Sequence, residues 1–446
     1  MDKGNWNEYV RQVILERQIH TVRVSLHDNA NVQRARFVSS RHFLDKVITE
    51  NIAYPSILFS MDSSTKLVEK AGAGFESGYP SWILKPDLST FSVVPYSPGN
   101  ARVIADVYDN SGNIVETVPR YILKKVLDKY EAEGIKVKGA FEYEFFIFTK
   151  NGEKLEPIWN GLNCLSEIKQ STVEEIISSI MLNLGEIGAG PEVANTEYAS
   201  GQFEITNSPF WGIEIADMAF YYRTSIREII DKFGLTATFM AKPVADQSGS
   251  GAHIHLSLYD KDDNNLLYDN NSEDGLSALC RHFIGGQIHH ACSMTALVNS
   301  TINSYKRLQP YSFAPTTVSW GYEHRGAMIR IPNSRKKGTR IENRLPGADT
   351  NPYISLAAIL AAGLDGIKNK ISPCNPLVNE DAYKCNCEKL PSTLQEAINE
   401  LKTDTFFKEA LGEEFIAHYI TLREAEINRY NKHISDWEYK EYMEIL

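Results

Sequence analysis

The alternation of hydrophobic and polar positions predicts a short amphipathic helix over 5–20, followed by a half-buried strand over 21–28 with Val22, Val24 and Leu26 on one side. A helical stretch around 40–51 and an apolar strand over 57–61 come next. Residues 71–87 are rich in Gly, Ser and Pro and read as loop. Strand-like runs at 91–94 and 102–107 lead into a turn at 109–112, so the first 115 residues form a small mixed unit. A helix over 119–133 ends at Gly134, a residue suited to the left-handed C-terminal cap. Ser171 and Glu174 have the spacing of a capping box, opening a helix with Val173, Ile176, Ile177, Ile180, Leu184 and Ile187 on one face. Another helix runs from about 213 to Gly234, and the last 80 or so residues are mostly helical.

Four segments carry charged or ligating side chains on one strand face and apolar ones on the other. They hold Glu142 and Glu144; Gln202 and Glu204, with Glu197 a short loop upstream; His253, His255 and Ser257; and Glu342 between Arg340 and Arg344. Any one of these faces alone suits a solvated sheet. Together, with Phe141, Tyr143, Phe145, Phe203, Ile254 and Leu256 on the opposite faces, they predict a sheet that packs by its apolar side and lines a cavity with its charged side. Gathered carboxylates repel unless a cation neutralises them. Oxygen-rich sites with an occasional histidine suit Mg²⁺ or Mn²⁺.

The chain has 446 residues, 43% hydrophobic and 23% charged, enough for one large and one smaller folded unit. Its net charge of -11 argues against general nucleic-acid binding. The start lacks an apolar leader pattern, and no run is long and apolar enough for a membrane span, so a cytoplasmic protein without membrane partners is expected. Cys164, Cys280, Cys292, Cys374, Cys385 and Cys387 form no CxxC pair and are expected to be reduced thiols.

The charged segments resemble, in order, the signature blocks of the glutamine synthetase family in its class I-like branch. They are PDLST at 86–90, EYE at 142–144, EYASGQFE at 197–204, KP at 242–243 with GSGAHIHLS at 249–257, SYKRL at 304–308, WGYEHRGAMIRIP at 320–332 and RIENRLPGADTNPY at 340–353. The resemblance implies an α+β fold: a small β-grasp-like domain over 18–115, then a large catalytic domain over 116–446 with a curved antiparallel sheet. It implies two to three Mg²⁺ or Mn²⁺ ions per site, one held by Glu144, Glu197 and Glu204 and another by Glu142, His253 and Glu342. Arg325 would neutralise the transferring phosphoryl group, and Glu342 and Asp62 would share in catalysis. Arg307, Arg344 and Gly249 would hold a glutamate-like acid. Glu192, His255, Ser257, Arg330, Lys337 and Arg340 would hold ATP. A homo-oligomer is implied, a dodecamer of two hexameric rings, with Asp62 completing a neighbour's site.

The departures from the family pattern gather around the amine. The flap after SYKRL carries Phe313 where ammonium-using members have Glu, and Ser81 occupies a second acidic position. Ser248 and His324 replace asparagines, while Asp62 survives. An ammonium site needs an anionic cage, and a phenyl ring offers apolar contact or a face for a cation instead. The expectation is therefore a ligase that joins glutamate to an organic amine or polyamine, with Phe313 in the amine subsite. The alternatives are a glutamine synthetase using ammonium and a catalytically silent relative. Tyr383, near a modification position of some members, lacks the matching neighbours and reads as an ordinary loop residue.

Overall fold

The computed structural model describes residues 3–446 apart from 73, 152–153 and 162–163. After a helix over Lys3–Glu16 comes a sheet of six strands: β1 (Thr21–His27), β2 (Gln33–Ser39), β3 (Ile52–Pro55), β4 (Ser81–Pro86), β5 (Ser92–Val93) and β6 (Asn100–Tyr108). The order is β2-β1-β6-β4-β3, with β5 also on β6. β1 runs antiparallel to β2 and parallel to β6. Val22, Val24 and Leu26 are buried with Phe43, Val47, Leu84 and Val103, as the alternation in 21–28 requires.

Three local expectations fail here. The apolar run at 57–61 is not a strand: Ser56–Ser60 forms a 3₁₀ turn that buries Phe59, and the strand lies upstream at Ile52–Pro55. A short apolar run carries no period that separates these two states. The Gly- and Ser-rich stretch at 71–87 contains β4, which pairs with β3 and β6 and buries Leu84. Ser171 does not cap the next helix. It ends a short helix over Glu167–Ser171, and its hydroxyl donates to Ile168 O at 2.8 Å, an alternative partner such residues often take. The following helix, Glu174–Glu186, starts after Val173 without a side-chain cap and buries Ile180 and Leu184.

The second sheet has ten strands: β7 (Lys136–Asn151), β8 (Lys154–Pro157), β9 (Pro191–Thr196), β10 (Gln202–Asn207), β11 (Phe210–Trp211), β12 (Thr236–Thr238), β13 (Ala252–Tyr259), β14 (Trp320–Tyr322), β15 (Ile329–Ile331) and β16 (Ile341–Asn343). The main path is β14-β15-β16-β13-β7-β10-β9, antiparallel except for β14 with β15. The fold is α+β, with a small N-terminal domain and a larger one built on this curled, mostly antiparallel sheet. One face packs on helices: Tyr143 stacks on Tyr222 of the helix Glu214–Lys232 at 5.6 Å, and Phe145 on Phe203 at 5.8 Å. The opposite face is left to polar side chains.

Buried charge joins the two sheets. Arg120 bonds Asp87 and Asp106 near the first sheet and Asp217 beneath the second, each at 2.7–2.8 Å. Tyr353 donates to the same Asp217 at 2.7 Å. Cys385 and Cys387 are joined as a disulfide with Cα atoms 5.3 Å apart, against the expectation of reduced thiols throughout. That spacing lies within the range a disulfide bridges, and a screen for CxxC pairs passes over a pair one residue closer. Among the described residues no helix is long and apolar enough to cross a membrane.

Candidate active site

Strand register assembles the site. Cross-strand partners put His253 opposite Glu142, Glu204 opposite Glu144, and His255 and Arg330 on either side of Glu342. Because strand side chains alternate, all of these project from the polar face while Phe141, Tyr143, Phe145 and Phe203 are buried on the other. Four stretches far apart in sequence thereby meet in one row.

The tightest cluster is Glu142, His253 and Glu342, whose ligand atoms all lie within 4.8 Å of one another, the one such group among the described residues. His253 Nδ1 is 3.1 Å from Glu142 Oε1 and 3.5 Å from Glu342 Oε1, and His255 Nε2 is 3.3 Å from Glu142 Oε2. Arg330 Nη1 holds Glu342 Oε2 at 2.6 Å, and Arg344 holds its other oxygen. Burial alone would raise the Glu342 acid. The Arg344 guanidinium and both imidazoles override it and draw it down to about 2. His253 is pushed down to about 4 by burial and then by Arg344, which keeps the imidazole neutral at physiological pH.

Glu144, Glu197 and Glu204 line the same cavity beside this cluster. Gly251 N donates to Glu144 Oε2 at 2.7 Å and Gln202 Nε2 reaches the same oxygen at 3.3 Å. Burial, then the neighbouring carboxylates, push Glu204 up to about 10, and burial with Glu197 pushes Glu144 up to about 7. Acids gathered this closely favour a cation between them, and an oxygen set with one neutral imidazole suits Mg²⁺ or Mn²⁺. The residues present fit the metals that the sequence implied.

On the substrate side Arg307 is buried, donating to Leu345 O and Arg344 O at 3.0 Å each, and no carboxylate of the chain pairs with it among its described ion pairs. Burial lowers it to about 10, still a cation at neutral pH. Gly249 lies against it: a Cβ there would stand 2.4 Å from Ala241 O and 2.8 Å from Arg307 Cγ. Arg344 also reaches Arg325 O at 3.1 Å and Phe313 O at 3.4 Å, tying the flap to the floor. Arg325 and Phe313 both line the cavity.

A second cavity shares Glu142 with the first and is lined by Glu192, His255, Ser257, Lys337 and Arg340. Five of the six residues expected at ATP therefore gather in one place. Arg330 is engaged instead by Glu342 and Glu323, each at 2.6 Å. Asp62 lies on the small domain, ion-paired to Arg429 and accepting from Ser64 and Lys66 backbone N–H groups at 2.8 and 3.0 Å; it does not line the acidic cavity of its own chain. Tyr383 sits in a loop but packs on the flap, its ring 4.9 Å from that of Tyr311. Sequence reasoning passed over Tyr198 and Cys164, which also line the acidic cavity. An aromatic next to the ligand Glu197 was the only signal available for Tyr198.

Residues 116–442 match the family model described as glutamine synthetase, catalytic domain. The chain is 33% identical over 449 residues to a glutamate–isopropylamine ligase of a Pseudomonas species, with 98% of each chain covered. It is 39% identical over 374 residues to a glutamine synthetase of Thermotoga maritima, covering 81% of this chain and 84% of the other. A solved structure of a GmaS/ADP complex superposes with a TM-score of 0.86 at 29% identity, covering 97% of this chain and 98% of that one.

Proposed function

The chain belongs to the glutamine synthetase family, and on that premise we propose that it is an ATP-dependent carbon–nitrogen ligase joining the γ-carboxylate of glutamate to an organic amine through a γ-glutamyl phosphate. The observation that carries the reading is the meeting of two cavities at Glu142, one lined by the expected nucleotide residues, the other by Arg307, Arg325, Arg344 and the acidic cluster. The GmaS neighbour bound to ADP supports a nucleotide in the first.

Glu142, His253 and Glu342 would hold one Mg²⁺ or Mn²⁺ and Glu144, Glu197 and Glu204 another, and such ions supply positive charge against phosphoryl oxygens. Arg307, which pairs with no carboxylate among the described residues, would grip a carboxylate of glutamate, with Gly249 leaving room for the acid beside it. Arg325 at the rim adds fixed positive charge where the phosphoryl group passes, which lowers the barrier to its transfer. Glu342, clamped by Arg330 and Arg344, keeps the floor rigid. The attacking amine must lose a proton, and Asp62 of a neighbouring subunit is the proposed acceptor, in a dodecamer of two hexameric rings.

The amine is read as organic because the flap offers Phe313, 55% exposed, in place of a carboxylate. The isopropylamine ligase, similar over nearly the whole chain, supports this, whereas the Thermotoga relative favours ammonium as the second reading. Phosphate release should be followed with ATP, Mg²⁺ and glutamate, offering ammonium, methylamine, isopropylamine, ethanolamine, putrescine, spermidine or aniline, with products identified by mass. Turnover with a small alkylamine above that with ammonium is expected; turnover with ammonium alone makes the protein a glutamine synthetase.

A further inference from the structure

The acidic cavity opens into a second hollow between residues 240–248 and 303–312, and Tyr198, Ser248 and Ser312 line both. Tyr198 follows Glu197 on the loop after β9, and its side chain is 46% exposed. Its ring meets Phe313 edge to face, with centroids 6.1 Å apart and planes at 61°. The two rings stand on opposite banks of the passage. The flap bank is held: Ser312 Oγ donates to Arg307 O at 3.0 Å, Tyr311 OH to Asp381 at 3.2 Å, and Arg344 to Phe313 O at 3.4 Å. Phe313 itself sits at φ +61, a left-handed conformation that a bulky residue adopts only where its surroundings impose it.

Resting on the amine-ligase reading, we infer that Tyr198 sets which amines pass, as one half of an aromatic pair whose other half, Phe313, stands on a flap held through its backbone. An alkylammonium crossing from the outer hollow meets this edge-to-face pair. An exposed ring face attracts its charge by the quadrupole, and the rings cover its alkyl group, before it reaches the buried carboxylates. The chemical class admitted is a primary amine with a short or branched alkyl substituent. A larger substituent has to part the two rings, and loss of the Tyr198 ring would make that room. Ammonium, with no apolar surface, gains nothing from Tyr198 beyond the attraction of its charge.

The full-length protein is assayed with glutamate, ATP and Mg²⁺ against ammonium, methylamine, isopropylamine, butylamine and benzylamine, comparing wild type with Tyr198→Ala, Tyr198→Leu and Tyr198→Phe. The ratio of kcat/KM for benzylamine to that for methylamine is expected to rise by about tenfold or more in Tyr198→Ala, to rise less in Tyr198→Leu, and to stay within about twofold in Tyr198→Phe. The KM values for glutamate and ATP and the Mg²⁺ dependence should stay at wild-type levels, which separates a selecting residue from one that merely props Glu197. An unchanged amine ranking in a folded Tyr198→Ala or Tyr198→Leu protein overturns the inference, as does an equal loss with every amine. Wild-type turnover with ammonium alone defeats the amine-ligase reading instead, and the inference with it.

Discussion

Phe313 and Gly249 line the same cavity as Arg307 and ask for opposite things. Phe313 presents a ring where an ammonium cage needs a carboxylate, so Phe313→Glu should raise the ratio of kcat/KM for ammonium to that for an organic amine by about tenfold or more, about 1.4 kcal/mol of transition-state preference. Steady-state kinetics with both amines reads this directly, and a fall in the ratio would count against an amine subsite at the flap. Gly249 tolerates no side chain, because a Cβ would meet Ala241 O at 2.4 Å, a backbone atom that cannot swing away. Gly249→Ala should therefore raise the KM for glutamate at least about tenfold through the displaced Arg307 while leaving the KM for ATP near its original value. At this scale the sequence was informative about identity and silent about neighbours. Phe313 was legible as a departure from the family pattern. Tyr198 was not, because its meaning lies in a ring more than a hundred positions away.

Among the elements, the sheet carries the chemistry. The alternation in 141–145, 202–204, 253–257 and 340–344 announced faces that pack on one side and turn charge toward a cavity on the other, and the buried Phe141, Tyr143, Phe203 and Ile254 bear out the packing. The failures came where no period exists, at 57–61 and in β4, and at Ser171, where a local hydroxyl found a nearer carbonyl. Crowding acids on one face has a cost that metal should relieve. A carboxyl whose folded value is raised keeps its proton where the unfolded chain has lost it. The metal-free protein therefore loses stability as pH rises from about 4.5 toward 7 for Glu144 and toward 10 for Glu204. Thermal melts of chelator-treated protein should fall across pH 6.5 to 8, and Mg²⁺ should flatten that slope. Near neutral pH Glu204→Gln should melt higher than wild type without metal and lose most of the Mg²⁺-induced shift, because the substitution removes a carboxyl that must take up a proton to stay in the cluster and, with it, a proposed metal ligand.

The molecule as a whole is held by polar contacts that cross between its two sheets. Arg120→Met would leave Asp87, Asp106 and Asp217 without their shared cation, and urea unfolding should report a loss of about 3–5 kcal/mol. His27 packs edge-on against Phe220 and Tyr353 across the same junction. His418 stands against Gly72 of the small domain. Burial, with Arg223 beside His27 and Arg423 beside His418, lowers them to about 3 and about 4. The unfolded chain takes up protons near pH 6.5 that the folded chain refuses. Their stabilisation is therefore whole above about pH 6.5 and is lost as pH falls toward 4. A melting temperature that drops less steeply below pH 6.5 in His418→Gln than in wild type is the expected sign. The sequence by itself carried the family resemblance, the α+β class and the departure at Phe313, because signature blocks and alternation are written in one dimension. Only the tertiary structure decided that Glu142 joins two cavities, that Arg344 ties the flap to Glu342, and that Tyr198 faces Phe313. Those are matters of strand register and loop closure, which fix distances between residues that no local pattern relates.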